Sequence, residues 1–230
     1  MSKYFLKKSA LQIPWTESPF FKQLLKNTKN ITPHKKQLAE SFNKNGYVII
    51  DLNLNKKSIN NINNDVNKYT SNLIPTSEDY KKDKSIQSNV YTYTNSPRLF
   101  EGWKKSESIK NLCLNEQILE TLEFLYDRKP FPFSTIHFIK GSNQPFHSDT
   151  IHFHSVPKLW MTGVWVALED VTKESGALKI IPGSHKWDLW NYQDLGLSHP
   201  DDIENGELVN YREYEIFLKS LIETNNAKEE

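Results

Sequence analysis

The strongest chemical signal in the sequence is a histidine and an aspartate two residues apart, His147 and Asp149. On a β-strand, side chains at positions i and i+2 point to the same face, so an imidazole and a carboxylate would converge there. These are two of the three ligands of a 2-His-1-carboxylate triad, which leaves positions on Fe(II) open for a co-substrate and O₂. The spacing alone is weak, because a structural histidine beside a surface aspartate gives the same pattern.

Other histidines lie close enough in the sequence to extend this site. His137 precedes the pair on a predicted neighbouring strand, and with Thr135 it could line a cofactor pocket. It could also supply the third metal ligand, or serve as a pocket wall or a hydrogen-bonded core histidine. His152 and His154 follow the pair and would either shape a substrate entrance or play a structural or surface role.

The composition excludes several other kinds of chemistry. A single cysteine, Cys113, excludes an internal disulfide and a cysteine-based metal cluster, and its apolar neighbours predict a core position. The 29 basic and 28 acidic residues leave a net charge of +1, so no strong field indicates nucleic acid or a membrane surface. No run approaches the roughly 18 apolar residues of a transmembrane helix. We therefore expect a cytoplasmic protein without nucleic-acid or membrane partners.

Amphipathic helices are predicted on both sides of the candidate site. A helix over 33–45 has Thr32 as its N-cap, Pro33 at its first position and Gly46 as its stop. Three others follow from apolar residues that recur at helical spacing. They cover residues 56–70, 115–126 and 210–223.

The middle of the chain has the pattern of an antiparallel β-structure. After Pro132, short runs of β-branched and aromatic residues alternate with turn signals, which is typical of a sandwich or barrel. A further buried strand is predicted over 47–50. The predicted strands of the β-rich part cover residues 133–139, 145–151, 161–168 and 177–181.

Four motifs follow one another in this β-rich part. His147-x-Asp149 is followed by a Trp-x-Ala-Leu-x-Asp run at 165–170, a Ser-Gly-x-Leu hairpin at 175–178 and a Pro-Gly-Ser-His turn at 182–185. Their order and spacing closely resemble the phytanoyl-CoA dioxygenase family. The resemblance extends over about residues 32–190, since the predicted helix and strand near the N-terminus also look like the family's entry.

The resemblance implies a fold and a reaction. The expected fold is α+β with a mainly β core, a double-stranded β-helix of the cupin-like jelly-roll kind with flanking N-terminal helices. The expected cofactor is Fe(II), with 2-oxoglutarate as co-substrate and O₂ as oxidant. His147 and Asp149 match metal ligands, and Trp165 matches a residue beside the 2-oxoglutarate pocket.

The sequence departs from the family pattern after residue 199. The family places a third ligand histidine on a late strand, followed by an arginine that holds the 2-oxoglutarate carboxylate through a bidentate pair. Neither is found here, Arg212 falls on a predicted helix, and Lys140 and Lys179 are inferior replacements. We therefore expect a jelly roll that is incomplete at its C-terminus, weak Fe(II) binding and no 2-oxoglutarate turnover.

These observations predict one domain over residues 1–230 and an oxygenase function. Its parts are an extension over 1–31, a helical and mixed part over 32–126, jelly-roll strands over 131–190, and a helical insert and tail over 191–230. The predicted activity is hydroxylation of a small organic molecule by an Fe(II)/2-oxoglutarate-dependent dioxygenase. The alternative is a catalytically inert jelly-roll binding module or an inactive fragment. The substrate and the oligomeric state stay open.

Overall fold

The architecture was obtained from a computed structural model, which describes residues 8, 11–70, 90–93, 96–139, 144–153, 155, 157–197, 203–204 and 207–230. The helices are α1 Phe21–Asn27, α2 Pro33–Asn45, α3 Lys56–Thr70, α4 Glu107–Cys113, α5 Glu116–Tyr126, α6 Thr150–Phe153 and α7 Val209–Thr224. The strands are β1 Val90–Tyr93, β2 Ser96–Phe100, β3 Ile136–Phe138, β4 Ile203–Glu204 and β5 Glu207–Leu208. Within these described ranges, no helix is long and apolar enough to span a lipid bilayer.

Local signals in the sequence determine the ends of α2. The Thr32 hydroxyl accepts a hydrogen bond from the Lys35 amide at 3.2 Å, which caps one of the free N–H groups of the first turn. At the other end, Gly46 adopts a φ of +84°, a left-handed conformation that glycine reaches without a Cβ penalty. The helix predicted over 33–45 is confirmed.

A first core cluster joins the N-terminal helices to α5. Trp15, Phe21 and Leu24 are buried against Ala39 of α2. The Trp15 indole N–H donates to the Phe124 carbonyl at 2.9 Å, so the buried polar group is satisfied. This cluster fixes the N-terminal segment on the helices.

A second core cluster packs α3 and α4 on the sheet. Ile62 and Val66 of α3 contact Leu99 of β2 and Ile109 of α4. The sheet order is β1-β2-β3, and all neighbours are antiparallel. Since side chains alternate along a strand, Leu99 points to the helices and the residues on either side of it point away.

The four predicted helices are all present, and each buries the predicted apolar face. The third, α5, begins one residue later than predicted, after the N-cap Asn115. The last, α7, is one residue longer than predicted at each end. The buried apolar residues of the four helices are Ala39 and Phe42 of α2, Ile62 and Val66 of α3, Ile118 and Leu125 of α5, and Tyr211 and Tyr214 of α7.

The strand predictions are less accurate than the helix predictions. Residues 47–50 form no strand, and Ile49 is 87% exposed instead of buried. The run over 133–139 is reduced to β3, and 145–151 is irregular before it enters the helical turn α6. The runs over 161–168 and 177–181 form no regular strand among the described residues.

The reason for these differences is that a strand exists only where a neighbour supplies ladder hydrogen bonds. β3 has such a neighbour in β2. Ile180 and Glu230 exchange both backbone hydrogen bonds, at 3.1 and 2.9 Å, which is the contact of a single paired position. The jelly roll stays a prediction.

Candidate functional site

His147 and Asp149 converge in the structure, although the strand predicted to align them does not form. The Nε2 atom of His147 lies 3.4 Å from Oδ1 of Asp149. The pair lies on the irregular segment before α6. The helical turn begins with a hydrogen bond from the Ile151 amide to the Ser148 carbonyl, and the amides of His152 and Phe153 donate to the Asp149 carbonyl. The turn, and not strand periodicity, brings the imidazole and the carboxylate together.

The tautomer of His147 follows from its other hydrogen bond. Nδ1 lies 2.9 Å from the Pro145 carbonyl oxygen, which can only accept, so Nδ1 carries the hydrogen. Nε2 is thereby left to face Asp149. This is the arrangement of a metal-binding histidine, in which one ring nitrogen is anchored and the other is available.

The two groups shift each other's pKa in opposite directions. Contact with the Asp149 carboxylate raises the pKa of His147 above its usual value, and burial opposes this shift. The same contact lowers the pKa of Asp149. The contact therefore favours the protonated form of the imidazole and the ionised form of the carboxylate, and a metal ion would take the place of the proton.

Helix α7 contacts the backbone between His147 and Asp149. The amide of Ser148, the residue between the two, donates to the Tyr214 hydroxyl at 3.3 Å. Burial raises the pKa of Tyr214 to about 12, so the hydroxyl stays protonated at neutral pH. Burial raises the pKa of Glu215, the next residue, and the nearby charge of His147 partly opposes this shift.

The 161–168 run passes beside the carboxylate. A Cβ atom added to Gly163 would lie 3.4 Å from Oδ2 of Asp149, an ordinary van der Waals contact. Trp165, the predicted neighbour of the 2-oxoglutarate pocket, follows two residues later and is 51% exposed. The glycine therefore leaves room at the carboxylate, and the indole is available to a ligand.

Arg98 is a functional candidate that the sequence analysis missed. It is only 6% exposed, and its guanidinium carbon lies 4.8 Å from the centre of the Phe138 ring. Its positive charge reaches His147, whose pKa it lowers in opposition to Asp149. A signal was available, since the chain has only three arginines and this one precedes an apolar pair, Leu99-Phe100.

The register of the sheet separates His137 from Arg98. Arg98 pairs with Phe138, whereas His137 pairs with Leu99, whose side chain lies in the helix-facing core. Paired residues share a face, so His137 lies on the opposite face from Arg98. Burial lowers the pKa of His137, which fits a pocket wall or core histidine better than a metal ligand beside Asp149.

Thr135 is engaged in the support of a neighbouring turn. Its carbonyl accepts from the Glu101 amide at 2.8 Å, and its hydroxyl accepts from the Trp103 amide at 3.5 Å. Glu101 has a φ of +55°, and its carboxylate accepts from Ser134 at 2.7 Å, Trp103 at 3.0 Å and Lys104 at 3.0 Å. The structure therefore gives Thr135 a structural contact, and its role in a cofactor pocket stays a prediction.

The remaining predicted residues differ in their distance from the pair. The ring of His152 lies 5.4 Å from that of His147, and its charge lowers the pKa of Asp149. Lys179 forms an ion pair with Glu229 at 2.7 Å. His154 and Lys140 lie outside the described residues.

The donors present fit two positions of an Fe(II) site. Two atoms bound at adjacent positions of a metal, with bonds of roughly 2.0–2.1 Å, lie about 3 Å apart. The 3.4 Å separation of Nε2 and Oδ1 requires little movement to reach this. Among the described residues, no third histidine, cysteine, aspartate or glutamate completes a group that could hold a metal.

Comparison with known proteins identifies the family. A family model described as phytanoyl-CoA dioxygenase (PhyH) matches residues 42–215, more than half of the chain. The chain belongs to the phytanoyl-CoA dioxygenase family. The resemblance inferred from the four motifs is thus confirmed, and the matched region of this family member contains His147, Asp149, Arg98 and Tyr214.

Two curated relatives are similar to parts of this phytanoyl-CoA dioxygenase family member. Dioxygenase FUM3 of Gibberella moniliformis is 36% identical over 86 residues, which are 33% of this chain and 28% of the relative. Phytanoyl-CoA dioxygenase domain-containing protein 1 of Danio rerio is 34% identical over 92 residues, 38% of this chain and 28% of the relative. The chain thus spans less than a third of each relative's length. No solved structure matches significantly.

Proposed function

We propose that this family member is a non-haem Fe(II)- and 2-oxoglutarate-dependent dioxygenase that hydroxylates a small organic molecule on a jelly-roll scaffold. The observation that carries the proposal is the convergence of His147 Nε2 and Asp149 Oδ1 at 3.4 Å, with Nδ1 anchored on Pro145. The family match and the dioxygenase names of both relatives support the reaction class.

His147 and Asp149 would hold the metal. Bound Fe(II) would supply the activation of O₂ that oxidation of an unactivated C–H bond requires. The protein's residues keep both ligands on one side and present them to a partly open surface, where the Asp149 side chain is 51% exposed. Retention of a carboxylate at position 149 favours hydroxylation over halogenation, in which a small residue leaves room for chloride.

Arg98 would hold a carboxylate of the co-substrate. A guanidinium offers five N–H donors in a planar fork that matches a carboxylate, and burial strengthens the attraction. Arg98 combines this chemistry with 6% exposure and an electrostatic influence on His147. In this role Arg98 would take the place of the late arginine that the family pattern has and this sequence lacks after residue 199.

The test is formation of succinate from 2-oxoglutarate in the presence of Fe(II), ascorbate and O₂. The missing late histidine and arginine led to the expectation of no turnover; with Arg98 as the carboxylate-binding cation, the proposal instead predicts turnover that His147→Ala and Asp149→Ala each abolish. His34→Ala, an exposed residue of α2, is expected to leave it unchanged. Turnover that survives either site substitution would contradict the assignment. Fe(II) and 2-oxoglutarate binding without turnover would favour the inert binding module instead.

A further inference from the structure

The segment that carries His147 and Asp149 lacks the support of a β-ladder. Residues 144–149 are irregular, so no strand neighbour fixes the backbone between the two side chains. Around the pair, His147 Nδ1 is anchored on Pro145, and the hydroxyls of Ser148 and Thr150 lie 2.7 Å apart. The first contact lies within the segment and the second joins it to the first residue of α6, so neither ties it to a distant part of the chain.

Tyr214 supplies a contact from a distant part of the chain. Its hydroxyl accepts a hydrogen bond from the Ser148 amide at 3.3 Å, across 66 residues of sequence. The donor is the backbone N–H midway between the two candidate ligands. Movement at this amide displaces both side chains together.

The hydroxyl is a fixed point because the tyrosine ring is immobilised. Tyr214 is 1% exposed and belongs to a core cluster with Ile151, Tyr192 and Tyr211. The ring of Tyr192 lies 5.7 Å from its ring, and Ile151 anchors α6 in the same cluster. The α7 helix, the Tyr192 segment and α6 therefore hold the ring on several sides.

We propose that Tyr214 is a positioning residue that fixes His147 and Asp149 at the separation a metal ion requires. The inference rests on the proposed metal-binding function. In a regular sheet, a neighbouring strand would hold the backbone between the two ligands in place. Here α7, which supplies no ligand itself, holds it through Tyr214. Groups that orient metal ligands typically change metal affinity about 10–100-fold when they are removed.

The test is a Co(II) titration of the full chain, followed by the absorption of the bound ion. Tyr214→Phe retains the ring and removes the acceptor, so we expect about 10–100-fold weaker Co(II) binding and a changed absorption spectrum. The matched control is Tyr192→Phe, which removes a hydroxyl from the same cluster and leaves the Ser148 bond intact. Co(II) affinity in Tyr214→Phe within about twofold of the unsubstituted protein would overturn the proposal, as would an equal loss in Tyr192→Phe.

A second readout does not depend on the metal. Hydrogen exchange of the Ser148 amide in the metal-free protein is expected to accelerate in Tyr214→Phe and not in Tyr192→Phe; unchanged exchange would contradict the proposal. If Tyr214→Phe does not fold, Ser148→Pro removes the same bond from the donor side and is expected to weaken Co(II) binding, with Ser148→Ala as its control. Unchanged affinity in Ser148→Pro would overturn the proposal.

Failure of this inference is distinguishable from failure of the proposed function. His147→Ala and Asp149→Ala are included in the same titration. If both retain Co(II) binding, the metal-binding function itself is wrong. If both lose binding while Tyr214→Phe keeps it, only the role of Tyr214 is wrong.

Discussion

At the scale of single residues, the candidate site depends on charges placed in partly buried surroundings. His147 and Asp149 stabilise each other's charged forms, and buried Arg98 places a second positive charge within reach of His147. Such a cation is unfavourable for the imidazolium and favourable for an anionic ligand. The charges of His147, Asp149 and Arg98 therefore favour the joint binding of a metal ion and a carboxylate ligand over a protonated His147 without a ligand.

The role of Arg98 leads to a prediction for co-substrate binding. Arg98→Lys keeps a positive charge but loses the planar fork, so we expect the affinity for 2-oxoglutarate to fall about tenfold or more. Binding is measured by calorimetry in the presence of Co(II). Arg212→Ala, which alters an exposed arginine of α7, is the control. Equal 2-oxoglutarate affinity in Arg98→Lys and the unsubstituted protein would contradict the role.

Glu17 makes the stability of the protein depend on pH. Its carboxylate lies 3.6 Å from His185 Nε2 with only 15% of its side chain exposed, and burial raises its pKa to about 7. A raised carboxyl pKa contributes stability that is complete below the unfolded value and is lost as the pH rises through about 7. Burial also lowers the pKa of His185, which acts in the opposite sense, because its contribution is lost as the pH falls.

We therefore predict that Glu17→Gln reduces the loss of stability between pH 5 and pH 8. The difference from the unsubstituted protein is expected to be on the order of 2–3 kcal/mol in the free energy of unfolding, measured by chemical denaturation at both values. Glu120→Gln, at an exposed position of α5, serves as the control. The same pH dependence in Glu17→Gln and the unsubstituted protein would show that Glu17 does not titrate in this range.

At the scale of elements, the C-terminal end of α2 packs against the Pro-Gly-Ser-His turn at 182–185. A Cβ atom on Gly46 would collide with the His185 ring, and the Gly183 amide donates to the Asn45 carbonyl at 2.9 Å. The ring nitrogen Nε2 of His185 lies 3.2 Å from the Asn43 carbonyl oxygen. The backbone partner of this histidine is therefore the end of a helix 142 residues earlier in the chain and not its own turn.

Two glycines allow this contact to be measured separately from backbone strain. Gly46 and Gly176 have similar positive φ values, +84° and +89°, but a Cβ on Gly176 would meet nothing within 4 Å. Both Gly→Ala substitutions carry a left-handed penalty of about 1–2 kcal/mol. We predict that Gly46→Ala is destabilising by at least about 1 kcal/mol more than Gly176→Ala, as measured by thermal unfolding. Equal losses would show that the His185 contact has no energetic weight.

The elements also show which parts of the structure could be predicted from the sequence. The ends of α2 were predictable because Thr32, Pro33 and Gly46 act on backbone groups within a few residues. The prediction of a strand over 47–50 was wrong because a strand needs a neighbouring strand to pair with, and the local sequence does not specify one. The convergence of His147 and Asp149 was predicted correctly, but from a strand that does not form. The two residues are close enough in the sequence for a turn to bring their side chains together as well.

The contribution of distant residues to the site could not be predicted in this way. Arg98 and Tyr214 reach the pair from β2 and α7, about 50 and 66 residues away in the sequence. Neither carries a motif of its own. Their relevance comes from burial and from the register of the sheet, which are properties of the folded chain.

At the scale of the whole molecule, membership of the phytanoyl-CoA dioxygenase family and the geometry of the pair support the same function. Helical clusters hold the N-terminal half. The segment before α6 is reached by Tyr214 of α7 through a hydrogen bond, by Gly163 next to the Asp149 carboxylate, and by Arg98 of β2 through its charge. The described residues provide two metal donors, a buried guanidinium and an exposed indole. These are the groups on which the proposed binding of Fe(II) and 2-oxoglutarate depends.

Metal binding by His147 and Asp149 is measured by an anaerobic Fe(II) titration of the unsubstituted protein, His147→Ala and Asp149→Ala, with His34→Ala as control. We expect one Fe(II) per chain and a loss of more than about 100-fold in affinity for each site variant, since a lost ligand costs more than a lost supporting group. Affinity should rise with pH through the raised pKa of His147, because the metal displaces that proton. Fe(II) binding that is equally strong in either site variant would contradict the central claim.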